Sequence, residues 1–94
     1  MKILGYNYTV SGALSREVIH ASGWHNSNLL HIDIASDLEL QQKKSTMIHE
    51  IIEALNYSLD LKLEHNIVMS LEAGLYQVLV DAGVDLTPLL KDIT

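Results

Sequence analysis

Apolar and polar residues alternate in the first third of the chain and recur at three- and four-residue spacing afterwards. Tyr6, Tyr8 and Val10 alternate with Asn7 and Thr9, which predicts a half-buried strand within residues 2–10. Leu30, Ile32 and Ile34 alternate with His31 and Asp33, predicting another over residues 29–35. Residues 17–21 form a weaker strand candidate after the turn residues Ser11-Gly12. The stretch Ser22-Gly23-Trp24-His25-Asn26-Ser27-Asn28 is dense in turn formers and reads as a loop or hairpin turn. The expectation is a small antiparallel meander of about three strands.

At Ser36 the period changes. Ser36-Asp37-Leu38-Glu39 has the form of a capping box, opening a helix that should run to about residue 57. Ile48, Ile51, Ile52, Leu55 and Leu59 draw its apolar stripe. After a connection over residues 60–63, a second helix is expected over 64–82, with Ile67, Val68, Leu71, Leu75, Val78 and Leu79 as its stripe. Gly83 suits its C-terminal cap, and Pro88 marks an irregular tail. The pattern therefore predicts an α+β fold in one domain over residues 1–94. A sheet (1–35) should pack on a two-helix hairpin (36–83), followed by a tail (84–94). Leu55, Leu71 and Leu75 should be buried where the stripes face each other.

Composition narrows the chemistry. Twelve acids against six bases give a net charge of -6. This argues against non-specific nucleic-acid binding and against a helix lying on an anionic membrane. With no cysteine, disulfides, zinc ribbons and cysteine nucleophiles are excluded, so any metal must be held by His, Asp or Glu. No targeting or membrane-spanning segment is visible, and a cytoplasmic location is the expectation.

The informative segment is Met47-Ile48-His49-Glu50-Ile51-Ile52-Glu53. It opens like H-E-x-x-H, in which residues i and i+4 on one helix face share a zinc ion and the intervening Glu handles the bound water. Here Glu53 replaces the second His, and a carboxylate is a legitimate zinc ligand. At ~100° per residue, His49 and Glu53 lie about 100° and 140° from the stripe centre, on its flank. Glu50 lies about 200° away and, without a metal, reads as an exposed acid. On the second helix His65, Glu72 and Tyr76 lie about 80–120° from the stripe centre. His65 and Glu72 are two turns apart, roughly 10 Å, so one ion would normally take only one of them. Asn56 reads either as a partner to the ligands or as a surface amide, and Tyr76 either as a substrate contact or as packing. Trp24 reads either as a contact residue or, by preference, as a cover for the open edge of the core, and His20, His25 and His31 carry no clear role.

Residues 41–83, through S-T-M-I-H-E-I-I-E-A-L-N and L-K-L-E-H-N-I-V-M-S-L-E-A-G-L-Y-Q-V-L-V-D-A-G, resemble the small phage and prophage zincin-like metallopeptidase domains. The resemblance implies a minimal zincin-like fold, Zn²⁺ as cofactor and peptide or amide hydrolysis. In that family the second helix supplies an acidic third ligand near its start, and this position falls at or beside His65. The resemblance thus implies an exchange of ligands between helices: His49, Glu53 and His65 hold the metal, and Glu50 is the catalytic base. Glu72 stands as the alternative third ligand. Two other readings stay open: a degenerate zincin fold that binds a protein partner, and a structural or regulatory phage-type module. The expected partners are a peptide or protein substrate and, given the small core, a second copy in a homodimer.

Overall fold

The computed structural model describes residues 1–13, 22–91 and 93, and the strand candidate over residues 17–21 lies outside them. The first strand expectation resolves into three short pieces. β1 (Lys2–Ile3) and β2 (Tyr6–Asn7) pair antiparallel across the turn Leu4-Gly5. Both turn residues have positive φ, 52° and 83°, as a type I′ hairpin turn requires. β3 (Thr9–Ala13) then enters a second, three-stranded sheet with β4 (Gly23–Asn26) and β5 (His31–Ala35).

The strand order is β3-β5-β4, with β3 parallel and β4 antiparallel to β5. The sheet is therefore mixed, not the antiparallel meander that the alternation suggests. Alternation specifies which face of a strand is buried but not which neighbour it takes. β5 takes the centre, and Ile32, Ile34 and Ala35 are wholly buried. The turn-rich segment before it carries a real strand: Gly23–Asn26 pairs with β5, and the Asn26 side chain accepts the backbone N–H groups of Asn28 and Leu29 in the turn.

α1 (Leu40–Ser58) starts later than a capping box at Ser36 would place it. The Ser36 hydroxyl donates to the Ala13 carbonyl, and the Ser36 N–H bonds the same oxygen, so this residue ties the end of β5 to β3. Glu39 occupies the N-cap position without a side-chain cap. α1 is buried along two adjoining strips. Met47 and Ala54 meet Ile3, Tyr8, Val10, Ile32 and Ile34 of the sheets, while Ile48 and Ile52 meet Val68 and Leu86.

α2 (His65–Asp81) closes in a Schellman motif: Val84 N–H reaches Leu79 O, Gly83 N–H reaches Val80 O, and Gly83 has φ +79°. Among the described elements α2 lies against α1 and against no strand. It is turned so that Val68 is its one fully buried residue, with Tyr76 and Leu79 partly covered. Leu71 and Leu75, expected in the core, are exposed, and Leu55 is half-buried. The rotation that brings Glu72 and His65 over α1 keeps Val68 and Leu79 of the expected stripe against α1 and turns Ile67, Leu71, Leu75 and Val78 outwards. Asn56, far from acting beside the ligands, clamps the connection between the helices: its amide donates to Leu63 O and accepts from Leu63 N–H. The tail is not irregular throughout. It forms a 3₁₀ turn over Thr87–Leu90 that buries Leu90 against α1 and the sheets. The Asp85 carboxylate accepts the Thr87 N–H at 2.9 Å at the start of this turn, and bonds from Thr87 hold its pKa below the usual carboxylate range.

Candidate metal centre

α1 forms the floor of a cleft of about 680 Å³, with β4 as one wall and α2 as the other. Its lining runs from Gly23, Trp24 and His25 on β4, across His49, Glu50 and Glu53 on α1, to His65, Met69 and Glu72 on α2. The helical period explains the α1 contribution. Thr46, His49, Glu50 and Glu53 fall on the arc left between the strip facing the sheet and the strip facing α2.

His49, Glu53 and His65 each offer one ligand atom, and these three atoms lie within 4.8 Å of one another. His49 and Glu53 are at i and i+4, whereas His65 is the first residue of α2 and is exposed. The two imidazoles meet edge-on, centroids 5.4 Å apart and planes at 66°. Tetrahedral zinc ligands at about 2.0–2.1 Å from the ion sit roughly 3.4 Å apart, so small side-chain rotations close the cluster.

Glu72 also reaches His49. Its Oε1 lies 2.8 Å from His49 Nδ1, and its Oε2 accepts the Ser45 hydroxyl. Both carboxylate oxygens are thus engaged from α1, and the arrangement fits a carboxylate that orients a ligating imidazole rather than a third ligand.

Glu50 departs from the exposed acid that the helical wheel implies. It is buried, 5% exposed, and Oε1 lies 3.2 Å from His25 Nδ1. β4 approaches this closely because residue 23 is glycine: a Cβ there would sit 2.7 Å from Thr46 Cγ2 and 3.0 Å from Glu50 Oε2. His25 and Gly23 are thus site residues that sequence reasoning missed, since both stand in a segment that reads as a turn. Trp24 lines the cleft and is 39% exposed, which agrees with the contact reading and not with the preferred one of a cover over the core. His31 lies outside the cleft, bonding Asp33 at 2.9 Å beside Ser11. No protein-family model, curated protein or solved structure matches the chain.

Proposed function

We propose that the cleft is a zinc site of a minimal zincin-like hydrolase acting on a peptide or amide bond, in line with the resemblance to the phage and prophage metallopeptidase domains. The observation that carries the reading is the convergence of His49, Glu53 and His65 donor atoms within 4.8 Å, from two helices, beside a buried glutamate. Glu72 on Nδ1 leaves Nε2 of His49 as the ligating nitrogen. Two neutral imidazoles and one carboxylate leave a Zn²⁺ centre with a net charge of about +1, able to acidify water and polarise a carbonyl.

The chain's own residues then divide the work. Glu50, fixed by His25, takes a proton from the attacking water as the C–O bond forms. It returns that proton to the leaving nitrogen as the C–N bond breaks, so the carboxylate is regenerated. Trp24 and Met69 present apolar surface on opposite walls, where a substrate side chain can rest.

A second reading keeps the metal and drops the hydrolysis. It is favoured by one observation: Glu50 is buried and already engaged by His25, as a structural carboxylate would be. Metal analysis after dialysis, followed by incubation of the zinc-loaded protein with a mixed fluorogenic peptide library, separates the readings. One zinc per chain with turnover supports the hydrolase, zinc without turnover supports the binding domain, and no zinc overturns both.

A further inference from the structure

Because α2 turns Val68 and Leu79 towards α1, it leaves a second apolar face open. Ile67, Leu71, Leu75 and Val78 are 42–65% exposed, and at ~100° per residue they fall within an arc of about 80°. Gly74 lies on the edge of the same stripe, and nothing stands within 4 Å of where its Cβ would be. The stripe carries no charge, since the helix has no Lys or Arg and its acids, Glu72 and Asp81, lie to either side.

The order of these residues is self-complementary. Reversing α2 about a point between Gly74 and Leu75 brings Leu71 onto Val78, Ile67 onto the exposed Ala82, and Gly74 onto Leu75. An isologous antiparallel helix pair requires this symmetry, because each position must face its own mirror partner across the two-fold axis. At the axis the missing side chain of Gly74 makes room for the partner's leucine, so the two backbones can approach closely. The antiparallel sense also sets the positive N-terminal end of one helix beside the negative C-terminal end of the other.

Surface area agrees. The chain exposes 6034 Å², about 600 Å² more than the ~5,400 Å² expected for a globular chain of 10.5 kDa. We infer that the chain forms a homodimer in which α2 packs antiparallel on α2 of a second copy, the two-fold axis passing between Gly74 and Leu75. His65 and Glu72 lie about 100–120° round the helix from this stripe, so both clefts stay open in the pair.

Sedimentation equilibrium of the wild-type chain, Leu71→Asp and Val78→Lys tests the pairing, with helix content followed by circular dichroism. The expected result is a wild-type mass near twice 10.5 kDa, and folded variants whose association is weakened about 30-fold or more. The absence of native cysteine permits a direct check of the axis. Leu75→Cys should cross-link to its own copy through a short bismaleimide, whereas Gln77→Cys on the polar side should not. His49→Ala should leave the dimer intact, which separates this inference from the metal site. A wild-type chain that sediments as a monomer at millimolar concentration overturns it, as does a dimer that both charged variants leave unchanged. A monomer whose stripe is covered only when a different protein is added overturns it equally.

Discussion

His49 is held from behind: the Glu72 carboxylate meets its Nδ1 at 2.8 Å while Ser45 holds the other carboxylate oxygen. A ligating imidazole whose second nitrogen donates to a carboxylate is fixed in tautomer and ring orientation, and its basicity rises. Glu72→Ala should therefore weaken zinc binding about 10–100-fold, measured by competition with a chromophoric chelator. Glu72→Gln, which keeps an acceptor oxygen, should recover much of the loss. Unchanged affinity in the alanine variant would show that Glu72 only ties the helices together.

Glu50→Gln should abolish hydrolysis and leave zinc stoichiometry at the wild-type value, because an amide cannot take the proton of water. The Gln oxygen can still accept from His25, so folding should survive the change. Persistent turnover in this variant would remove Glu50 from the reaction.

The ligand set has its own test. His49→Ala should eliminate zinc binding, and His65→Ala should reduce it to the weak binding of a two-ligand site on α1. Glu53→His gives three imidazoles and should retain the ion, since His and carboxylate ligands occupy the same i+4 position. Inductively coupled plasma analysis after dialysis reads all three. Full occupancy in the His65 variant would mean that α2 supplies no ligand there.

How much of this was legible depended on whether the signal was local. His49, Glu50 and Glu53 announce themselves because four-residue spacing on a helix fixes their relation before any tertiary contact. The Gly83 cap was readable for the same reason. His25 was not, because its meeting with Glu50 is a contact between β4 and α1 that no spacing encodes. The rotation of α2 was hidden by its composition. With apolar residues around much of the helix, the wheel could not tell the face on α1 from the open one, and the expected stripe straddled both, with Val68 and Leu79 on α1 and Ile67, Leu71, Leu75 and Val78 outside it. Ser36 was misread because a serine can as readily bond a neighbouring strand as a helix end.

Gly23→Ala tests how closely β4 must approach α1. The added methyl meets Thr46 Cγ2 at 2.7 Å and the Glu50 side chain at 3.0 Å, so strand or glutamate must move. We expect a destabilisation of about 1–3 kcal/mol in urea melts, the range for overpacking a well-filled contact. On the proposed hydrolase reading, turnover by the zinc-loaded protein should fall further than stability alone explains, because Glu50 shifts off His25. A neutral substitution would show that the strand yields freely.

The rotation of α2 predicts opposite behaviour for two leucine-sized side chains. Met47 is fully buried between α1 and the sheets, so Met47→Ala should cost about 2–5 kcal/mol at any protein concentration. Leu75 is 46% exposed on the open stripe, and its loss removes little from the single chain. At micromolar protein, below the dissociation constant of a modest interface, Leu75→Ala should shift stability by no more than about 0.5 kcal/mol. At high concentration the gap between wild type and Leu75→Ala should widen, because association adds stability only to the dimer-competent chain. Thermal melts over a hundredfold concentration range check this. A large, concentration-independent loss at Leu75 would mean that this face packs within its own chain.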